Sequence, residues 1–234
     1  MITTVLFDLD GTLLSMDQDK FVQSYIGRMA KKLAPHGYDP ELLTKGLWKG
    51  TGAMVKNDGT QTNEELFWQV FNGVMGKDCR GDEPLFTDYY ENEFQQVAGD
   101  CGFDERAAET IRQIRALGYR VALATNPLFP AIATQSRVRW AGLEIDDFDL
   151  ITTYENSRFC KPNLEYYRQI LATLNLKPEN CVMVGNDVSE DMIAEKLGIR
   201  VFLLTDCILN KENKDIDRYP QGSFPELMDF IRGL

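Results

Sequence analysis

The sequence predicts an α/β protein, a doubly wound parallel sheet with a second, all-helical domain inserted near the start of the chain. Short apolar runs recur, and each is continuous rather than alternating, as expected for strands buried on both faces of a parallel sheet. Helical patterns separate most of these runs, which is typical of an open sheet covered by helices on both faces. One long stretch has helical patterns and no convincing strand, and it indicates the insertion.

Five strands are predicted from apolar runs rich in Val, Ile or Leu. They lie at residues 4–7, 120–124, 150–153, 182–184 and 201–204. Three helices are predicted among them. Residues 104–117 place apolar side chains on one face before Gly118 ends the helix. Asn163 is a suitable cap for a helix at 163–175, and Gly198 ends a short helix at 189–197.

The inserted segment lies between Leu14 and the region of Gly99. Amphipathic helices are predicted at residues 19–34, 40–48, 62–75 and 84–97. The stretch at 46–65 is rich in Gly, Lys, Thr and Asn, and we expect a connecting loop there. We therefore assign residues 1–14 and 100–234 to a core domain that contains the sheet, and residues 15–99 to a helical domain.

Composition and charge limit the classes of partner. The chain has 234 residues, 44% hydrophobic and 26% charged, which is ordinary for a soluble globular protein. Its formal net charge of -11 argues against nucleic acid or an anionic membrane surface as a partner. A strand that starts at Ile2 leaves no room for a signal peptide, and no apolar run is long enough to span a bilayer. Five cysteines without CxxC spacing fit reduced thiols, so we expect a cytoplasmic protein.

Polar side chains follow four of the five predicted strands. The first strand leads into the sequence VLFDLDGTLL, where Asp8 and Asp10 are two residues apart and so tend to share one side of an extended chain. The later strands are followed by Thr125 and Asn126, by Lys161, and by Asn186, Asp187 and Asp191. Ligands bind at the carboxyl ends of the strands in open parallel sheets. We therefore expect these side chains to converge at one edge of the sheet.

Clustered carboxylates at this edge would repel each other if nothing lay between them. A hard divalent cation resolves that conflict, and Mg²⁺ suits carboxylate oxygen, carbonyl oxygen, water and a substrate phosphate. Lys161 and Thr125 could then bind the remaining oxygens of a phosphoryl group, by charge and by hydrogen bond. The pattern predicts magnesium-dependent chemistry on a phosphate ester.

In this order, the DLDGT segment, the strand-end Thr125, the Lys before Pro and the acidic GND segment resemble the four motifs of the haloacid dehalogenase (HAD) superfamily. The resemblance covers the whole chain and implies a Rossmann-like core. The insertion between the first and second motifs is similar to the helical cap of the phosphoglycolate phosphatase and β-phosphoglucomutase branch. Too few residues separate Thr125 from Lys161 for the larger cap that other members carry there.

The resemblance also implies a role for each matching residue. Asp8 matches the nucleophile that attacks phosphorus and forms an aspartyl-phosphate. Asp10 matches the general acid that protonates the leaving oxygen and then activates water, and its backbone carbonyl would bind the metal. Thr125 and Lys161, with Asn126 beside them, match the groups that hold the phosphoryl oxygens.

Two assignments stay open. In the fourth motif, Asp187 is the first candidate for the acidic metal ligand, with Asp191 in support. In the commoner GDxxxxD alignment Asn186 takes the first acidic position, and the ligands would then be Asn186 and Asp191. Lys56, in the inserted segment, is either a contact to the substrate or a solvated surface lysine.

The expected function is that of a Mg²⁺-dependent phosphatase that hydrolyses a small phosphorylated metabolite, with the helical cap as a lid. Asp10 argues against a dehalogenase, because halide leaves without a proton. Two alternatives remain: a sugar phosphomutase of the same family, and a non-enzymatic switch that uses a long-lived phospho-aspartate as a signal. The substrate and the oligomeric state do not follow from the sequence.

Overall fold

The computed structural model describes all 234 residues and contains one five-stranded parallel sheet. Its strands are β1 Thr4–Phe7, β2 Arg120–Leu123, β3 Cys181–Gly185, β4 Arg200–Leu204 and β5 Gln221–Gly222. They lie in the order β2-β1-β3-β4-β5, and every neighbouring pair is parallel. Strand β1 therefore has the carboxyl ends of β2 and β3 on either side of its own. The predicted α/β class is confirmed.

The sheet is buried on both faces, as the continuous apolar runs predict. In β1, Val5 and Phe7 belong to one hydrophobic cluster, whereas Leu6 belongs to another. Leu6 lies in register with Ala122 of β2 and Met183 of β3, which share its cluster. Because successive side chains of a strand point to opposite faces, a polar residue at any of these positions would lie in a core.

Eight α-helices accompany the sheet. They are α1 Gln18–Leu33, α2 Pro40–Val55, α3 Asn63–Met75, α4 Glu83–Glu91, α5 Glu105–Ala116, α6 Ala131–Trp140, α7 Leu164–Leu174 and α8 Phe224–Arg232. Short 3₁₀ helices occupy Ala34–His36, Arg80–Asp82, Glu93–Asp100, Ile145–Asp147, Pro178–Asn180 and Met192–Leu197. The predicted caps are present. The Asn163 side chain accepts a hydrogen bond from the Glu165 backbone N–H, and Gly118 has a φ of 89°.

The strand predicted at 150–153 is wrong. Only Ile151 forms a single parallel bridge, to Leu123 at the end of β2. The backbone of this segment pairs with β2 only around that bridge: the Leu123 N–H donates to the Leu150 carbonyl at 2.7 Å, and the Thr152 N–H donates to the Leu123 carbonyl at 3.1 Å. Beyond it, the Thr152 hydroxyl donates to the Thr125 carbonyl at 2.7 Å. Two smaller differences from the predicted elements concern β5 and the helix after β3. The two-residue β5 is too short to detect in the sequence, and the helix predicted at 189–197 is a 3₁₀ helix that begins at Met192.

The loop predicted at 46–65 is also wrong in its first half, because α2 continues to Val55. Two of the glycines in this stretch are positions where a neighbouring aromatic ring packs directly against the helix. A Cβ at Gly46 would lie 2.9 Å from the Phe71 ring, and one at Gly50 would lie 2.5 Å from the Phe67 ring. The helix thus lacks side chains at two positions where α3 approaches it closely.

The helical segment that follows β1 has a hydrophobic core of its own. Sixteen buried residues form it, and all but Ala133 of α6 come from residues 21–97. The sheet has separate clusters on its two faces. Ala133 therefore joins the helical segment to the rest of the chain. The domain division at residues 14/15 and 99/100 stays a prediction.

Two features of the structure concern membrane spans and cysteine pairing. No helix of the structure combines the length and the apolar character that crossing a membrane requires. All five cysteines are unpaired.

Candidate active site

A polar cleft of about 200 Å³ lies at the carboxyl end of the sheet. Seven of the predicted site residues line it, namely Asp8, Asp10, Thr125, Asn126, Asn186, Asp187 and Asp191. Lys161 is buried beside the cleft, where its Nζ contacts two of the carboxylates. The convergence follows from topology, because these residues follow β1, β2 and β3, which are neighbours in the sheet.

Asp8 is buried at the end of β1 and both of its oxygens have partners. Its Oδ1 lies 2.8 Å from the Lys161 Nζ, and its Oδ2 accepts a hydrogen bond from the Thr12 hydroxyl at 3.2 Å. Lys161 also lies 2.6 Å from the Asp191 Oδ1. Burial alone would lower the pKa of Lys161, but the Asp191 and Asp8 carboxylates outweigh it and raise that pKa well above its usual value. Lys161 therefore stays a cation between two acids.

The turn after Asp8 depends on a glycine. Gly11 has a φ of 86°, and a Cβ there would lie 2.3 Å from the Asn186 Nδ2. The Asn186 Nδ2 donates to the Cys207 carbonyl at 2.7 Å. Its Oδ1 lies 3.0 Å from the Thr12 hydroxyl, whose single proton it shares with the Asp8 Oδ2. The close approach of Gly11 to Asn186 thus joins the first and fourth motifs.

Asp10 has a different cation from Asp8. Its Oδ2 pairs with the guanidinium of Arg137, a fully buried residue of α6. The other oxygen, Oδ1, is buried and has no hydrogen-bond partner. Burial raises the pKa of Asp10, Arg137 opposes that shift, and the Asp8 carboxylate adds to it. One oxygen of Asp10 is thus fixed by Arg137, while the other has no partner within the protein.

The two aspartates of the fourth motif, Asp187 and Asp191, differ in how many of their carboxylate oxygens accept hydrogen bonds. Asp191 has both oxygens engaged, Oδ1 with Lys161 and Oδ2 with the Asp187 backbone N–H. Asp187 uses only Oδ1, which accepts from the backbone N–H groups of Ser189 and Glu190. No hydrogen bond involves the Asp187 Oδ2, so this oxygen is available to a ligand in the cleft.

Thr125 and Asn126 are fixed by contacts around the end of β2. The Thr125 carbonyl accepts hydrogen bonds from the hydroxyls of Thr152 and Tyr166. Asn126 accepts from the Lys161 backbone N–H at 3.2 Å and donates to the Glu190 Oε2 at 3.0 Å. Burial raises the pKa of Glu190 to about 7. The polar side chains of the second, third and fourth motifs therefore form one connected network.

Lys56 is the predicted site residue that the structure places neither in the cleft nor against its carboxylates. It is exposed at the end of α2 and lines neither the polar cleft nor the apolar cavity beside it. Its contact with a substrate stays a prediction.

The cleft offers donors of the type that magnesium prefers. No three acidic, histidine or cysteine side chains converge into a closed metal cage. Mg²⁺ does not require one, since it keeps several waters and is usually bound through one or two carboxylates plus substrate phosphate. The Asp8 carboxylate, the unpartnered Asp187 Oδ2 and the Asp10 backbone carbonyl therefore fit this ion by their chemistry.

Two residues of the site escaped the sequence interpretation. Arg137 of α6 is spaced four residues from each of two buried alanines, Ala133 and Ala141. An arginine on such an apolar helix face is the signal that could have indicated a buried, paired cation. Glu190 lies between Asp187 and Asp191 in the sequence, and its spacing alone does not indicate a contact with Asn126. Its contact with Asn126 depends on the packing of two strand ends.

The chain is similar in sequence to a known protein family and to individual phosphatases. A family model described as a haloacid dehalogenase-like hydrolase matches residues 2–205. The chain is 28% identical over 232 residues to a phosphoglycolate phosphatase of Colwellia psychrerythraea, with 98% of this chain and 96% of that protein covered. It is 25% identical over 236 residues to a glyceraldehyde 3-phosphate phosphatase of Methanocaldococcus jannaschii, with 100% and 99% covered.

The fold is also similar to solved structures. One is a 2-haloacid dehalogenase from Pseudomonas syringae pv. Tomato DC3000, with a TM-score of 0.63, 18% identity, and coverage of 100% of this chain and 99% of that one. At this identity the likeness concerns the fold alone. The choice of reaction has to be argued from the side chains at the strand ends.

Proposed function

The chain belongs to the haloacid dehalogenase-like hydrolase family, and we propose that it is a Mg²⁺-dependent phosphatase that forms an aspartyl-phosphate on Asp8. Its substrate would be a small phosphorylated metabolite. Relatives named as phosphatases cover nearly the whole chain and support this reaction. The observation that carries the proposal is the pair of aspartates in one cleft, Asp8 against Lys161 and Asp10 against Arg137.

The proposed first step transfers the phosphoryl group to Asp8. A carboxylate oxygen of Asp8 attacks phosphorus, the bond from phosphorus to the leaving oxygen breaks, and Asp10 donates a proton to that oxygen. Lys161, 2.8 Å from the Asp8 Oδ1, would offset the charge on the phosphoryl oxygens, and the Thr125 hydroxyl would donate to one of them.

The proposed second step regenerates the enzyme. Water attacks the phosphorus of the aspartyl-phosphate, and Asp10 now accepts a proton from that water. The bond between phosphorus and the Asp8 oxygen breaks, which releases inorganic phosphate and leaves Asp8 as a free carboxylate. The helical cap would exclude other water during both steps.

The metal would be held by the carboxylates of Asp8 and Asp187 and by the backbone carbonyl of Asp10. Bound magnesium would neutralise part of the phosphate charge, so that a phosphate dianion can lie beside carboxylates. Asp187 keeps one carboxylate oxygen without a partner, whereas Lys161 and a backbone N–H engage both oxygens of Asp191, and this supports Asp187 over Asp191. Asn186 stays the alternative ligand.

A substrate panel tests the proposal. Sugar phosphates, nucleotides and phosphoglycolate would be incubated with the protein at fixed Mg²⁺, and inorganic phosphate would be measured. We expect release from at least one ester, loss of that release in Asp8→Asn, and full release in Asp229→Asn, a control on the exposed face of α8. A rearranged sugar phosphate without free phosphate would indicate a phosphomutase instead. Phosphate release by Asp8→Asn at the normal rate would overturn the proposal.

A further inference from the structure

Beside the polar cleft lies a larger cavity of about 430 Å³, between the helical cap and the loop after β2. We propose that this cavity receives the leaving group of the substrate, and that this group is a largely apolar, ring-sized alcohol without negative charge, carrying a hydrogen-bond donor. The inference rests on the proposed phosphatase function and concerns the class of ester that the enzyme hydrolyses.

The cavity adjoins the proposed reaction centre. Val22 of α1 and the loop residues Leu128 and Phe129 line both the cavity and the polar cleft. The Phe129 ring also lies 4.3 Å from the guanidinium of Arg137, which pairs with Asp10. A phosphate held at Asp8 would therefore have its leaving oxygen near Asp10 and the rest of its alcohol in the cavity.

The walls of the cavity are mostly apolar. Fourteen of its nineteen lining residues are hydrophobic, and they include Trp48, Phe67, Trp68 and Phe129. The volume falls in the range of sites for small organic molecules, roughly 300–1,000 Å³. A leaving group as small as glycolate would leave most of this surface uncovered, whereas an aromatic or branched group would bury it.

The charged groups of the cavity are acidic. Glu83 and Glu155 line it, and no lysine, arginine or histidine does. The nearby Arg80 is engaged with the carboxylates of Glu64 and Glu83, at 2.7 and 3.5 Å. A carboxylate or phosphate on the leaving group would thus enter an apolar space beside acids and without a cation, which is costly.

Glu155 offers the cavity an acceptor for a hydrogen bond, besides the buried and unpartnered donor Nε1 of Trp68. Its Oε1 accepts a hydrogen bond from the Ala131 backbone N–H at 2.8 Å, at the start of α6. Its Oε2 is buried and has no hydrogen-bond partner. Buried carboxylate oxygens are normally satisfied, so this one fits a hydroxyl or ammonium donor from the leaving group.

Three esters with the same reacting end test the inference. They are 2-phenylethyl phosphate and its para-aminomethyl and para-carboxyl derivatives, compared with phosphoglycolate by kcat/KM at fixed Mg²⁺. The three alkoxides are nearly identical, so differences report binding at the far end. We expect the neutral and ammonium esters to exceed the carboxyl ester and phosphoglycolate by about tenfold or more, since one pocket contact discriminates by roughly that factor.

Variants locate the contact. In Glu155→Gln, the ratio of kcat/KM for the ammonium ester to that for the neutral ester should fall several-fold. In Glu109→Gln, an exposed position on α5, this ratio should not change. Preference for phosphoglycolate or for the carboxyl ester would overturn the inference and leave the phosphatase intact. An unchanged ratio in Glu155→Gln would overturn the donor contact. Hydrolysis of none of the phenylethyl esters by a protein that releases phosphate from another ester would also overturn the inference, whereas hydrolysis of no ester in either panel would contradict the proposed function.

Discussion

At the scale of single residues, the two opening aspartates are distinguished by the cation that each one contacts. Asp8 faces Lys161, which it shares with Asp191 and which lies in the loop before α7, and Asp10 faces Arg137 of α6. Separate cations offset the repulsion between two acids two residues apart. They also give the acids different surroundings, which is what different roles in one reaction require.

The first prediction separates these roles. Asp8→Asn should abolish turnover of every ester, because the attacking carboxylate is gone. Asp10→Asn should slow release of the alcohol from an alkyl phosphate by about 10² to 10⁴-fold, the usual contribution of a general acid, and far less for p-nitrophenyl phosphate, whose phenolate leaves without a proton. Single-turnover kinetics on both variants with both esters measures this. An equal effect of Asp10→Asn on the two esters would show that Asp10 is not the acid.

The second prediction concerns Arg137 as a positioning residue. Arg137→Met should lower kcat for an alkyl phosphate about tenfold or more, because Asp10 loses the contact that orients it. In a protein that already carries Asp10→Asn, Arg137→Met should lower kcat little further. A double-mutant cycle on kcat measures the coupling, and a thermal melt of each variant checks folding. Equal losses with and without Asp10 would mean that Arg137 acts through the fold and not through Asp10.

At the scale of elements, the site depends on which strands are neighbours. The first, second and fourth motifs follow β1, β2 and β3, and these three strands are adjacent in the sheet. The cap depends on a different contact, that of α2 with α3. Gly46 and Gly50 let the two helices approach until the rings of Phe71 and Phe67 occupy the missing side-chain positions.

The third prediction uses a matched pair of glycines in α2. A Cβ at Gly50 would lie 2.5 Å from the Phe67 ring, whereas a Cβ at Gly52 meets nothing within 4 Å. Gly50→Ala should lower the free energy of unfolding by about 1–3 kcal/mol through overpacking. Gly52→Ala should raise it by about 0.5–1 kcal/mol, because alanine is the better helix former. Urea unfolding followed by tryptophan fluorescence measures both, and stabilisation by Gly50→Ala would contradict the packing argument.

At the scale of the whole molecule, aromatic side chains join the cap to the core beside the reaction centre. Phe21 and Tyr25 of α1 pack edge-on against Phe129, which follows β2, with ring centroids 6.0 and 5.3 Å apart. Phe129 in turn contacts Arg137. The wall of the apolar cavity and the support of Asp10 are therefore one set of packed residues.

The fourth prediction is that chelation abolishes phosphatase activity and Mg²⁺ restores it. Asp8, Asp10, Asp187, Glu190 and Asp191 all line the cleft. Lys161 and Arg137 are already paired with three of these carboxylates, so a phosphate dianion needs a further cation to lie among them. Phosphate release would be followed in EDTA and after addition of excess Mg²⁺. Full activity in EDTA would contradict the magnesium proposal.

Much of this could be predicted because strands of a parallel sheet leave strong local signals. Buried apolar runs located β1, β2, β3 and β4, and the polar residues after β1, β2 and β3 converge as expected. Each failure has an identifiable cause. The run at 150–153 is apolar enough for a strand, but its backbone pairs with β2 only around Ile151. The glycines of α2 resemble a loop unless their packing against α3 is known.

The sequence by itself determined the α/β class, the order of the motifs, and which acids, amine and hydroxyl lie at the carboxyl edge of the sheet. These follow from periodicity and spacing, which are properties of neighbouring residues. Only the tertiary structure decided that Arg137 pairs with Asp10, that Asp187 keeps an oxygen free, and that an apolar cavity with the unpartnered Glu155 Oε2 adjoins the cleft. Each of these joins side chains far apart in the chain, and their distances are set by how helices pack on the sheet.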